Sequence, residues 1–166
     1  MRRATLALLA LPAAQAVYAR TYELVLRRTV PKLMAGDVDA FLRFYADDAT
    51  LTFPGDNSWG PVYRGRDEIR GFLERFLRVG LQGEVREILV SGPPWSTTAC
   101  VRFDDGATAP DGTRVYENRA VIVLKACWGK VVSEEVFEDT EKVAAFDRWL
   151  AENEPGFPAD RAATAA

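Results

Sequence analysis

The sequence predicts an α+β fold, with three N-terminal helices packed on a strongly curved, mostly antiparallel sheet and a short C-terminal helix. Two observations carry that prediction. Apolar residues recur at helical spacing as far as Gly80, and from Glu84 onward the chain turns to runs rich in Val, Ile, Thr and aromatics, separated by turn residues. Helices that precede a block of strands collect on one side of the sheet. The 166 residues suit one domain, and 48% hydrophobic with 27% charged residues excludes a disordered or fibrous chain.

The elements follow in order. Val17 to Thr29, with Tyr18, Tyr22, Val25, Leu26 and Leu33 at helical spacing, predicts a first helix that Pro31 kinks or restarts and Gly36 closes. Asp37 can cap a second helix, whose apolar face is Val38, Phe41, Leu42 and Tyr45. Ala49–Phe53 is β-prone and stops at Pro54-Gly55; the polar stretch from Asp56 to Arg64 reads as a loop carrying Trp59 and Tyr63 on a rim. Ile69, Phe72, Leu73, Phe76 and Leu77 mark the third helix, with Arg70, Glu74 and Arg78 as an exposed ladder. Strands are expected at Glu84–Val90, Thr97–Phe103, Val115–Lys125 and Val131–Phe137, and Val143, Phe146 and Leu150 predict the final helix. The domain is placed at residues 17–153, between an extension at 1–16, either an amphipathic helix or signal-like, and a loose tail at 154–166.

Composition excludes several chemistries. Without histidine there is no Ser-His-Asp or Cys-His machinery and no imidazole metal ligand. Cys100 and Cys127 alone make no tetrahedral thiolate site, and both read as reduced, small apolar strand residues. No metal is expected, because Glu134-Glu135 on a strand point to opposite faces and Asp47-Asp48 read as a turn after a helix. No phosphate loop or dinucleotide fingerprint is present, so no cofactor is expected. A net charge of −3 gives no reason to expect nucleic acid. The N-terminal apolar run is too short for a membrane span, which needs ~20 residues. Cysteine usage favours a cytoplasmic protein; export is the alternative, if residues 1–16 with Ala14-Gln15-Ala16 form a signal peptide.

Three motifs carry a resemblance: Ala35-Gly36-Asp37-Val38-Asp39-Ala40, Phe44-Tyr45-Ala46-Asp47-Asp48-Ala49-Thr50 and Tyr63-Arg64-Gly65-Arg66-Asp67-Glu68-Ile69. In that order they resemble the opening of a nuclear transport factor 2-like domain, and within that superfamily are most similar to SnoaL-like and ketosteroid isomerase-like proteins. Trp128-Gly129-Lys130-Val131-Val132, followed by Phe137-Glu138-Asp139, fits the last strand of those families. The resemblance spans residues 17–140 and implies a cone whose curved sheet surrounds a pocket, commonly dimeric through its sheet. The fold hosts unrelated chemistries and non-catalytic binders alike.

The family's functional positions transfer unevenly. The isomerase base position is occupied by Phe53, the oxyanion-hole Tyr position falls near Thr29 and its acidic partner near Val121, which argues against steroid-type isomerisation. SnoaL-type cyclases and epoxide hydrolases resembling limonene epoxide hydrolase carry a catalytic Asp in the last strand; counting from Gly129 places Val136 there, with Glu135 one residue away. The Arg-x-Asp pair that those hydrolases carry on a central strand is matched by Arg102-Phe103-Asp104, so Arg102 and Asp104 are the candidate catalytic pair, with a plain surface ion pair as the alternative. Tyr45, Phe53, Trp59, Tyr63, Phe76, Asn118, Arg119, Val121 and Val136 are the candidate substrate-binding residues, and Trp95 is a further aromatic of wall or rim. Two functions stay open: a cofactor-independent cyclase, hydrolase or isomerase acting on a hydrophobic metabolite such as a polyketide or terpenoid, or a non-catalytic hydrophobic-ligand or dimeric interaction module. A small hydrophobic molecule and a second copy of the chain are the expected partners.

Overall fold

In the computed structural model the chain is described over residues 2–154 apart from 56 and 61, with side chains from residue 13 onward. Apart from Glu154, the expected tail lies outside the described residues.

The first helix, α1 (Arg2–Met34), continues through Pro12 and Pro31, so Pro31 neither kinks it into two elements nor restarts it. Pro31 lies in the last turn, and the helix closes at Gly36 as expected. There, Asp37 N–H donates to Lys32 O (2.9 Å) and Gly36 N–H to Leu33 O (2.8 Å), the paired bonds of a Schellman end, with Gly36 at φ +94. Asp37 then caps α2 (Val38–Leu42) by accepting from Ala40 N–H at 2.9 Å. One residue thus ends one helix and starts the next, which fixes the turn between them.

Tyr45 keeps the helical period of α2 but opens the first strand, β1 (Tyr45–Thr52). Asp47 and Asp48 lie in this strand rather than in a turn, and Asp47 meets Arg66 at 3.3 Å. The expected loop ends in a short strand, β2 (Val62–Arg64), antiparallel to β1. The third helix, α3 (Gly65–Arg78), buries Ile69, Phe72 and Leu73 and ends in the same way as α1, at Gly80. Arg70 bonds Asp39 of α2 at 2.5 Å and reaches Glu74 at 3.9 Å, so the ladder is tied mainly to a neighbouring helix.

Four long strands follow: β3 (Gln82–Ser91), β4 (Thr97–Thr108), β5 (Arg114–Cys127) and β6 (Lys130–Phe137). The sheet order is β2-β1-β6-β5-β4-β3, antiparallel throughout except for the parallel β1–β6 pair. The last helix is α4 (Thr140–Asn153), capped by Asp139 and burying Val143, Phe146 and Leu150. One core joins helices and sheet, from Leu33 and Leu42 through Leu51 and Ile69 to Val101, Leu124 and Leu150. Among the described residues no helix is long and apolar enough to cross a membrane.

Candidate functional site

Strand alternation decides what the concave face presents. On β4 the buried series is Val101, Phe103 and Asp105; on β5 it is Tyr116, Asn118, Ala120 and Leu124; on β6 it is Glu134 and Val136. Of these, Val101, Phe103, Asp105, Ala120, Leu124, Glu134 and Val136 close with α1 and α3 around a cavity of about 100 Å³. Its walls are almost wholly apolar, with Leu26, Phe53, Phe72, Phe76, Phe103 and Val136 among them. Three carboxyl groups reach it: Asp105, Glu134 and Glu138, the last placed just beyond β6 in the same alternating phase. Among the described residues no Lys or Arg lines this cavity.

Each carboxyl is displaced upward for a physical reason. Burial raises Asp105 to about 6, a shift that its own backbone N–H and the Arg114 charge partly oppose. Burial raises Glu138 to about 8, and the negative charge of Asp105 adds to it, while the Tyr116 hydroxyl at 3.5 Å works against the rise. Burial lifts Glu134 to about 7, with the Tyr45 hydroxyl donating to its Oε2 and holding it lower than burial alone would. Tyr45 itself stays protonated, pushed well above its usual value by burial and by Glu134. Asp105 Oδ1 and Glu138 Oε1 are buried with no hydrogen-bond partner in the structure. A buried acceptor without a donor costs about 1–3 kcal/mol, so both atoms are strong candidates to meet a ligand or water.

Tyr116 connects the two sides of this cluster. Its ring stacks on Phe146 of α4 at 4.6 Å, and Asn118 Nδ2 donates to its hydroxyl at 3.0 Å and to Asp139 O at 3.0 Å. Asp105, Tyr116 and Glu138 also line a smaller adjoining void of about 20 Å³, under Trp59 and Phe146.

The residues predicted from sequence are scattered around this centre. Arg102 and Asp104 occupy the outer face of β4, because they alternate with the buried Val101, Phe103 and Asp105. Asp104 bonds Arg86 Nε at 2.8 Å and meets Arg119 Nε at 3.5 Å, so its partners are these arginines rather than Arg102. The hydrogen bond from Arg86 holds its carboxyl below the usual range. Tyr45, Phe53, Phe76 and Val136 line the cavity. Trp59 and Tyr63 are buried, not on a rim: Trp59 Nε1 donates to Asp147 Oδ1 at 2.9 Å, and Tyr63 donates to Trp59 O at 2.5 Å while packing on Phe72. Asn118 is buried and orients Tyr116 from behind the wall. Arg119 and Val121 face outward with Arg102, and Trp95 is exposed against Trp128 at 5.8 Å. Cys127 is exposed and Cys100 half-buried, so neither is a core residue.

Asp105, Glu134 and Glu138 were not among the residues expected from sequence. A signal for two of them existed. The phase of Val101 and Phe103 puts Asp105 inside, and the phase of Val136 puts Glu134 inside and Glu135 out.

A model of the SnoaL-like domain matches residues 26–134. Several solved structures share the fold. PrhC from Penicillium brasilianum is 16% identical with a TM-score of 0.66, over 81% of this chain and 90% of its own. A candidate polyketide cyclase from Xanthomonas campestris pv. campestris is 18% identical with a TM-score of 0.57, over 77% and 98%. SalBIII, an epoxide hydrolase/cyclase-like enzyme in salinomycin pyran-ring formation, is 22% identical with a TM-score of 0.57, over 74% and 94%. At these identities the likeness is one of fold. Comparison with curated proteins gives no match.

Proposed function

The chain belongs to the SnoaL-like domain family, and on that premise we propose that it is a cofactor-independent acid/base enzyme acting on a hydrophobic metabolite such as a terpenoid or polyketide. One observation carries this reading: Asp105 and Glu138 bring carboxyl oxygens without partners to one apolar cavity, with affinities for protons that differ. At neutral pH Asp105 is mostly ionised and Glu138 mostly protonated, which supplies a base and an acid together.

Opening of an epoxide illustrates the balance. Asp105 accepts a proton from water as the water oxygen bonds to the epoxide carbon. The ring C–O bond breaks, and Glu138 gives its proton to the departing oxygen. Ring closure by a substrate hydroxyl uses the same two transfers, with the hydroxyl in place of water. Glu134 and Tyr45 offer a third polar contact for a substrate oxygen, and the aromatic walls exclude bulk water.

The test is conversion of a terpenoid epoxide, limonene 1,2-epoxide, to its diol by wild type, Asp105→Asn and Glu138→Gln. Loss of about 10²–10⁴-fold in each variant, with melting temperature retained, is the expected result. Turnover that survives Asp105→Asn overturns the assignment.

We further infer a homodimer formed through the outer sheet face. There Leu89, Val121 and Phe137 are exposed at 63%, 42% and 51%, and Val121 pairs in register with Phe137.

A further inference from the structure

A second cavity, of about 140 Å³, lies beneath α1 and is larger than the one that holds the carboxyls. Tyr18, Tyr22, Val25, Thr29, Phe44 and Val131 line it, and the exposed Thr21 stands at its edge. Leu26, Phe41, Tyr45 and Leu124 line both cavities, so the two spaces adjoin across these residues. Phe41 and Leu26 are only partly buried, and Phe41 leans on Tyr45 with ring centres 5.4 Å apart.

Size makes the second cavity necessary. A dry apolar cavity of ~150 Å³ accommodates a benzene ring, so about 100 Å³ holds less than six carbons. The two spaces together more than double that room. The chemistry of the second space is also distinct: among the described residues no carboxyl or cation lines it, and its walls carry aliphatic groups, aromatic rings and hydroxyls. Tyr18 is engaged with Thr97 Oγ1 at 2.7 Å, and Thr29 donates to Val25 O at 2.7 Å. Tyr22 makes no hydrogen bond within the described residues and faces this space beside Tyr18, with ring centres 6.2 Å apart. Burial, and then its neighbours Tyr18 and Glu134, raise its hydroxyl to about 12, so it remains a neutral donor.

We propose that the chamber beneath α1 is the specificity compartment of the same site. It takes the apolar end of an elongated substrate, passed over Tyr45 and Phe41, and Tyr22 donates a hydrogen bond to an oxygen at that far end. The substrate class is thus an extended hydrocarbon skeleton with one oxygen function at the carboxyls and a second at its opposite terminus. The role of substrate rests on the acid/base reading above; the compartment itself does not.

The experiment measures affinity by calorimetry for straight-chain alcohols from 1-butanol to 1-decanol, and for 1,10-decanediol. Wild type should tighten about fourfold for each methylene beyond 1-butanol. Val25→Phe and Thr21→Trp fill the chamber from its wall and its edge. They should bind 1-butanol like wild type and stop gaining affinity at a shorter chain. Tyr22→Phe should weaken the diol about fivefold and leave 1-decanol unchanged.

A wild-type series that stops improving at 1-butanol contradicts the proposal without recourse to any variant. So does a chain-length limit identical in wild type and Thr21→Trp, an exposed position where folding is retained. Equal effects of Tyr22→Phe on alcohol and diol remove the terminal hydrogen bond from it. Failure of the acid/base reading looks different: Asp105→Asn then leaves turnover intact while the chain-length gain persists.

Discussion

Asp104 and Asp105 are neighbours whose surroundings give them opposite properties. Arg86 stabilises the charge on Asp104 at the surface, whereas burial disfavours the charge on Asp105. Replacing Asp104 by Asn should leave limonene 1,2-epoxide turnover near the wild-type value and barely move the chemical-denaturation midpoint. Arg102→Ala should be closer still to wild type, since Arg102 is exposed and does not line the cavity. Loss of turnover in either variant would return the site to the outer face. From sequence the strand that carries the acid is legible, but its face depends on phase. Spacing of two pairs Arg102 with Asp104 on one face, and only the buried Val101 and Phe103 show that this face is the outer one. Glu138 was harder to foresee, since it lies beyond the end of β6 and only the continued alternation from Glu134 and Val136 brings it inward.

At the level of elements, caps and periods were legible because each depends on nearby residues. Gly36, Asp37 and Gly80 act within a single turn, and the apolar faces of α3 and α4 repeat over several. Gly80 lies at φ +75 with no atom within 4 Å of an added Cβ, so Gly80→Ala isolates the backbone effect. It should lower stability by about 1 kcal/mol in urea titration. Gly106 is a contrasting case: an added Cβ would fall 2.2 Å from Arg114 Nη2 and 2.6 Å from Tyr116 O. Gly106→Ala should therefore cost more than Gly80→Ala, and the reverse order would contradict the packing around Asp105. What local pattern did not reveal is pairing. The parallel contact of β1 with β6 and the short β2 arise from chain path, and neither leaves a period in three to eight residues. Tyr45 shows the same limit, since its helical spacing from Val38 was outweighed by the ladder that begins at Val131.

For the whole molecule, three carboxyls raised by burial set the pH dependence of stability. A carboxyl whose folded value exceeds its unfolded value keeps its proton longer in the native state, so stability is highest below the unfolded value and falls as pH rises. With Asp105 at about 6, Glu134 at about 7 and Glu138 at about 8, the melting temperature should fall between roughly pH 4 and pH 8 and then level off. Glu138→Gln should flatten the upper part of that decline. Phe137→Lys should convert a dimer to a monomer in size-exclusion chromatography while leaving the cavity unaltered, since its side chain lies on the opposite face from Val136. The most direct test of the central claim is a carboxyl carbon NMR titration of the native protein, with Asp105→Asn and Glu138→Gln to assign the signals. Midpoints near 6 for Asp105 and 8 for Glu138, with the latter falling when Asp105 is neutralised, are the predicted result. Titration of both groups near 4, independent of one another, would contradict it.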